Sequence, residues 1–336
     1  MKAIQIQTLG GVEGLHLVEL AEPIPRRGEV AVRVRAASLN FRDLLVVKGQ
    51  YNPRISLPAI PLSDGAGEVA AVGPGASRFK VGDRVAAAFM PGWITGPPTD
   101  AAARTALGAG GTGMLAETVI LPETGLVSLP SYLSFEEAAT LPCAAVTAWH
   151  ALISEGKLKA GDTVLTLGTG GVSIFAIQFA RMHGARVLAT SGSDEKLERV
   201  RALGASDTIN YKTTPEWDKT VRQLTAGEGV DHVVEVGGAG TLSRSLRAVK
   251  TGGSVSLIGL LAGGTAEVNI LPILMRNLRV QGIFVGSRAM FEEMNHTLNL
   301  HATAPVIDKV FPIDATAEAY RLLESGEHFG KVVIRL

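Results

Sequence analysis

Gly168, Gly170 and Gly171 carry the clearest chemistry in the chain. They stand in Gly168-Thr169-Gly170-Gly171-Val172-Ser173, between an apolar strand, Asp162–Leu167 (DTVLTL), and an apolar helix running on through Ile174–Ala180. A turn with so little side chain lets the backbone approach a pyrophosphate. The N–H groups and positive dipole of the helix that follows, from Val172 onward, then hold the anion. Ser173 stands where the GxGxxG spacing has its last glycine. Gly184 ends the helix and Ala185–Thr190 (ARVLAT) supplies a second strand, within the ~30 residues of a βαβ unit. The segment is expected to bind a dinucleotide.

The tip of that second strand bears on which dinucleotide. Sites for NAD place Asp or Glu there, accepting from the ribose 2′-hydroxyl. Here the strand ends Ala189-Thr190-Ser191-Gly192-Ser193, with no acid at the tip. The hydroxyls of Ser191 and Ser193 can donate to a 2′-phosphate, and Lys196, one turn into the next helix, can add positive charge. In the plainer alternative Ser193 only caps its helix and Lys196 is a solvated charge. The missing acid favours NADPH over NADH.

Two kinds of framework must position these residues. The first third of the chain reads as short strands punctuated by Gly and Pro: Met1–Thr8, Leu15–Leu20, Glu29–Ala36, Glu68–Gly73, Arg84–Ala88 and Leu115–Leu121. In Glu29–Arg35 the valines 30, 32 and 34 alternate with Glu29, Arg33 and Arg35, the period of a half-buried antiparallel strand. A helix is expected near Asn40–Lys48, and Pro91–Gly113 reads as a long surface loop. After Pro130 the rhythm changes. Ser134-Phe135-Glu136-Glu137 is a capping box that opens a helix. From Asp162 strands alternate with helices, with Asp207–Asn210, Val230–Val236 and Ser254–Leu260 as further strands, the pattern of a doubly wound parallel sheet. Asn277–Phe284 reads as a late edge strand, and the chain ends in a strand, Lys331–Leu336.

Composition narrows the function classes. With 336 residues, 46% of them hydrophobic, the chain can fill two cores, and 32 basic residues balance 32 acidic ones. That balance argues against a nucleic-acid surface or a binder of anionic membranes. No apolar run approaches the ~20 residues of a membrane span. The opening MKAIQIQT lacks a signal peptide's apolar core, and a single cysteine, Cys143, fits a reducing cytoplasm.

Several ordered segments resemble the medium-chain dehydrogenase/reductase superfamily over essentially the whole chain. They are Pro61–Gly73 (PLSDGAGEVAAVG), Lys80–Val85 (KVGDRV), Leu141–Ala148 (LPCAAVTA) and Gly330–Val333 (GKVV). The resemblance implies an α/β chain with a GroES-like, β-rich catalytic domain (1–140 and 284–336) and a Rossmann domain with a doubly wound parallel sheet (141–283). Zinc alcohol dehydrogenases of the superfamily hold catalytic zinc at positions matched here by Asn40, Ser63 and Cys143. The four-cysteine loop of their structural zinc has no counterpart. One cysteine cannot build a site that needs three protein ligands, so no metal is expected and the chain is similar to the zinc-independent quinone and enoyl reductases.

The same resemblance assigns further residues. Tyr211 matches a tyrosine that contacts the 2′-phosphate, and Thr147 is expected near the nicotinamide. Val236, Gly237, Ile258, Gly259, Phe284 and Val285 fall where cofactor-lining residues are found. On the substrate side Asn40 replaces a zinc-ligand cysteine, and Tyr51 matches a tyrosine beside the substrate of enoyl-reducing relatives. A phenol can bond a carbonyl oxygen as enolate charge builds; a packed surface aromatic is the alternative. Asp43 and Asp64 read as a helix-surface charge and a loop turn, and Phe89, Trp93 and Phe291 as aromatic walls. The expected activity is NADPH-dependent reduction of enones, enals or quinones by a cytoplasmic homodimer. Alcohol dehydrogenation and non-enzymatic cofactor binding are the other classes.

Overall fold

The computed structural model describes residues 1–336, which form two compact units: Met1–Val146 with Gly286–Leu336, and Thr147–Val285. In the first unit β1 (Lys2–Ile6) and β2 (Leu15–Glu19) make an antiparallel pair. The larger sheet begins with β3 (Glu29–Ser38), β4 (Asp64–Val72), β5 (Arg84–Ala87), β6 (Thr118–Pro122) and β7 (Leu126–Ser128). β3 follows its pattern: Val30, Val32 and Val34 are buried while Arg33 and Arg35 are exposed. The valines pack with Val69, Val85, Val119 and Leu121, each burial contributing about 1.5–3 kcal/mol.

The second unit holds β8 (Thr163–Leu167), β9 (Arg186–Ser191), β10 (Asp207–Asn210), β11 (Val230–Glu235), β12 (Val249–Leu257) and β13 (Arg279–Gly282). All its strand pairs are parallel, in the order β10-β9-β8-β11-β12-β13. This is the doubly wound arrangement, whose order reverses between β8 and β11, and ligands of such sheets bind at the carboxyl ends beside that reversal.

The chain then returns to the first unit with β14 (Ile307–Pro312) and β15 (Lys331–Arg335), completing the order β14-β15-β3-β4-β5-β7 with β6 also on β3. Ser38 of β3 lies opposite both Asp64 of β4 and Val333 of β15. That register gathers residues from three distant parts of the sequence at one end of the sheet.

The expected capping box is present: Ser134 Oγ accepts from the Glu137 N–H at 3.1 Å and Glu137 Oε2 from the Ser134 N–H at 2.7 Å. The expected surface loop at Pro91–Gly113 is corrected. It contains a helical turn, Asp100–Ala103, and buries Trp93 and Leu107 at 3% and 4% exposure. Its small residues let the chain fold inward around those two apolar anchors. No helix is long and apolar enough to cross a membrane.

Candidate functional site

At the carboxyl end of β8 the backbone turns with Gly168 at φ +73°, and a Cβ added at Gly168 or Gly170 would meet no atom within 4 Å. The helix Gly171–Met182 starts directly behind. N–H groups of its first turn, including those of Gly171 and Val172, have no preceding carbonyl within the helix to bond. Open space over bare backbone donors is a cradle that fits a pyrophosphate. Ser173 explains its departure from glycine: buried, it donates from Oγ to the Leu167 carbonyl at 2.7 Å and ties the helix to β8.

At the tip of β9, Ser191 Oγ accepts from the Ser193 N–H at 3.3 Å, and Ser193 Oγ accepts from the Lys196 N–H at 3.3 Å. Ser193 therefore does cap its helix, Asp194–Ala202, while its hydroxyl proton stays available to donate. Asp194 accepts from Asn210 Nδ2 at 2.7 Å, and Asn210 pairs with Ser191 across the sheet. A Cβ on Gly192 would lie 2.8 Å from Tyr211 Oη and 2.9 Å from Lys212 Cε. Ser191, Gly192, Tyr211 and Lys212 are thus brought together. Lys212 escaped the sequence reading, although its place beside Tyr211 was a usable signal.

The loops after β11, β12 and β13 hold the other expected contacts. A Cβ on Gly259 would strike the Val236 carbonyl oxygen at 2.3 Å and one on Gly237 would strike Thr241 Oγ1 at 2.2 Å, so both glycines serve close backbone packing. Ile258 donates its N–H to the Glu235 carbonyl at 2.8 Å. Val236 and Thr147 are buried and Phe284 is 43% exposed. Val285 is a β-branched residue at φ +54°, a costly conformation. Its carbonyl is held by His150 Nδ1 at 2.7 Å, a partner the sequence did not reveal.

In the first unit, Asn40 precedes the helix Phe41–Val47 and donates its N–H to Asp43 Oδ2 at 2.8 Å. Its side-chain Oδ1 accepts from the buried ammonium of Lys331 at 2.6 Å, and its buried amide lies against the Asp64 carboxylate, lowering that group's pKa. Asp64 is fully buried, with Oδ1 accepting from Ser63 Oγ at 2.7 Å and Oδ2 from the Cys143 N–H at 3.1 Å. The readings of Asp43 as a surface charge and Asp64 as a loop turn are therefore corrected: the two are 1% and 0% exposed. Helix and sheet close over both, and burial raises both carboxyls above their ordinary range, Asp43 to about 6. Arg42 pulls Asp43 back most strongly, and Lys331 does so for Asp64. Burial lowers Lys331 and raises the Cys143 thiol.

Tyr51 is 38% exposed. The Arg42 guanidinium lies 4.9 Å from the centre of its ring and 4.6 Å from that of Phe89, and its three nitrogens are buried without hydrogen-bond partners. Phe89, Trp93 and Phe291 are packed at 1–3% exposure, so they act as core and not as open walls.

The positions matching zinc ligands do not fit zinc. The one good donor of Asn40, Oδ1, faces an ammonium; Ser63 donates its proton to Asp64; and Cys143 alone is a single thiolate candidate where three protein ligands are needed. Zinc sites use thiolate, imidazole or carboxylate, and no group of three or more His, Cys, Asp or Glu is placed to hold a metal ion.

A β-rich unit with a C-terminal return and a doubly wound parallel unit define the class of two-unit dehydrogenases and reductases. Comparison with known proteins narrows it. Residues 26–131 match the alcohol dehydrogenase GroES-like domain and 171–299 the zinc-binding dehydrogenase model. A zinc-type alcohol dehydrogenase-like protein of Schizosaccharomyces pombe is 47% identical over 92% of this chain and 91% of its own. Human quinone oxidoreductase is 31% identical over 100% and 98%. Among solved structures, an NAD-dependent alcohol dehydrogenase superimposes with TM-score 0.92 at 38% identity, covering all of both chains. A mycobacterial protein complexed with NADPH does so with TM-score 0.84 at 28% identity, again over both whole chains. The chain belongs to the medium-chain dehydrogenase/reductase superfamily and is an oxidoreductase of that type.

Proposed function

We propose that the protein is a zinc-free, NADPH-dependent reductase of activated C=C bonds in enones or enals, or of quinones. The observation that carries this reading is the Asn40–Lys331 contact where zinc-dependent relatives have a ligand. Without a Lewis acid, an alcohol's proton is hard to remove at neutral pH. A conjugated carbonyl needs only stabilisation of the negative charge that spreads onto its oxygen. A neutral donor such as Tyr51 Oη–H can supply it, worth about 3 kcal/mol in a dry site.

When bound, the dihydronicotinamide supplies a hydride. The pyrophosphate falls to Gly168, Gly170, Gly171 and Val172, and the nicotinamide end to Thr147, Val236, Ile258, Phe284 and Val285. Gly237 and Gly259 shape the backbone there. Ser191, Ser193, Lys196, Tyr211 and Lys212 favour the 2′-phosphate of NADPH, against the NAD dependence named for one structural relative. We further propose a cytoplasmic homodimer joined along β13. That strand is an exposed sheet edge, and Ile270, Leu274 and Met275 nearby are 70–74% exposed. Light scattering at micromolar concentration should give twice the chain mass; a monomer refutes the dimer.

The test of function is a cofactor and substrate panel run on protein prepared without chelators and assayed for metal. Oxidation of NADPH faster than NADH with enones, enals or quinones, and no stoichiometric zinc, is the expected result. Tightly bound zinc with rapid oxidation of simple alcohols would replace this reading by that of an alcohol dehydrogenase.

A further inference from the structure

The strand order β10-β9-β8-β11-β12-β13 sets the direction of a bound dinucleotide. With the pyrophosphate over the turn after β8 and the adenosine ribose at the tip of β9, the nicotinamide arm runs the other way, over the loops after β11, β12 and β13. The last of these loops holds a pronounced backbone outlier. Six non-glycine residues have positive φ, and Val285, at +54°, is the only β-branched one among them. Such a conformation persists only where the surroundings impose it, and such residues cluster at ligand clamps. No backbone carbonyl accepts from the Val285 N–H.

What imposes the conformation is a ring of contacts inside the second unit. Ile283 donates its N–H to the Leu257 carbonyl of β12 at 3.0 Å. Ser256, the residue before Leu257, donates from Oγ to the Ala151 carbonyl at 3.4 Å. His150, next to Ala151, closes the ring by reaching the Val285 carbonyl from Nδ1 at 2.7 Å. A carbonyl oxygen only accepts, so Nδ1 carries the proton. His150 is 7% exposed and follows Thr147 by three residues, which puts the two on one helical face. Without the imidazole, β12 still holds Ile283, while the Val285 carbonyl loses this partner.

Resting on the reading of the protein as a nicotinamide-dependent reductase, we propose that His150 is a positioning residue for the nicotinamide. Through the Val285 carbonyl it holds the turn after β13 in the shape that receives the nicotinamide, with Phe284, 43% exposed, as the outward-facing residue of that turn. His150 itself touches no reacting atom.

The test is binding, read by calorimetric titration of the whole protein, with two ligands: NADPH, and ADP-ribose 2′-phosphate, which lacks only the nicotinamide. His150→Ala should weaken NADPH about tenfold and leave ADP-ribose 2′-phosphate within about twofold of wild type. A histidine that only supports the fold would move both affinities together. In His150→Asn the amide nitrogen stands where Nδ1 stands and can donate to the same carbonyl, so NADPH affinity should return to within about threefold of wild type. In His150→Gln the amide matches Nε2 instead, and binding should stay as weak as in His150→Ala. Equal weakening of both ligands, an unchanged NADPH affinity in His150→Ala, or no difference between the Asn and Gln variants overturns the proposal. If His150→Ala does not fold, the Asn and Gln variants carry the comparison. If NADH proves the tighter cofactor, NADH and ADP-ribose replace the pair with the same expected result. A wild type that binds neither dinucleotide removes the functional reading and this inference together; a wild type that binds one, with both ligands weakened alike in the variant, removes this inference alone.

Discussion

Glu235 and Asp64 are both fully buried carboxylates at strand ends, and the two units hold them in opposite ways. Glu235 ends β11 and accepts from four neutral donors, the N–H groups of Gly237 and Gly238 and the hydroxyls of Thr241 and Ser245. Each donor finds the carboxylate, and the result ties the loop after β11 to the start of the helix Leu242–Ala248. Asp64 shares its surroundings with a second carboxylate, Asp43, and with the cations Lys331 and Arg42, and nearby buried atoms such as Arg42 Nε and Nη2 and Tyr320 Oη make no hydrogen bond. A closed network is architecture. An open one leaves valences unmet.

The largest effect should come from breaking the closed network. Glu235→Ala leaves two N–H groups and two hydroxyls unpaired in the second unit and should destabilise it by about 3–5 kcal/mol in denaturant unfolding. In the other network, Asn40→Ala removes one of the two acceptors of the buried Lys331 ammonium and should cost about 1–3 kcal/mol, less than Glu235→Ala because only one contact is lost. If Glu235→Ala is harmless, or Asn40→Ala unfolds the first unit, the contrast is wrong.

Asp43 sharpens the comparison through pH. With its carboxyl raised to about 6, the folded protein binds that proton more tightly than the unfolded chain. Its contribution to stability is therefore full below pH about 4 and is lost as pH rises through about 6. Asp43→Asn should flatten stability across that window; an unchanged slope would show that another group titrates there. The smallest effect lies at the tip of β9. Lys212→Ala and Lys196→Ala should each weaken NADPH about fivefold and NADH less than twofold, in fluorescence titrations. Equal losses would mean neither lysine reads the 2′-phosphate.

The same contrast explains what was legible in the sequence. The glycine turn, the Ser134 cap and the valine alternation of β3 are local, so spacing alone exposes them. The cluster around Asp64 is assembled by register: Lys331 meets Asn40 across 291 positions, and Cys143 meets Asp64 across 79. Asp43 follows Arg42 at the start of a helix and looks solvated until the sheet covers it. Val285 needs His150 to hold its carbonyl, a contact that no spacing signals.

The central claim is a conjugate reduction carried out without metal, and isotope transfer tests it most directly. Metal-free protein, supplied with NADPH deuterated at C4 in the 4R or 4S position and with an enone, should place deuterium on the β-carbon from one of the two labels. Deuterium on the carbonyl carbon, giving an allylic alcohol, would contradict the account.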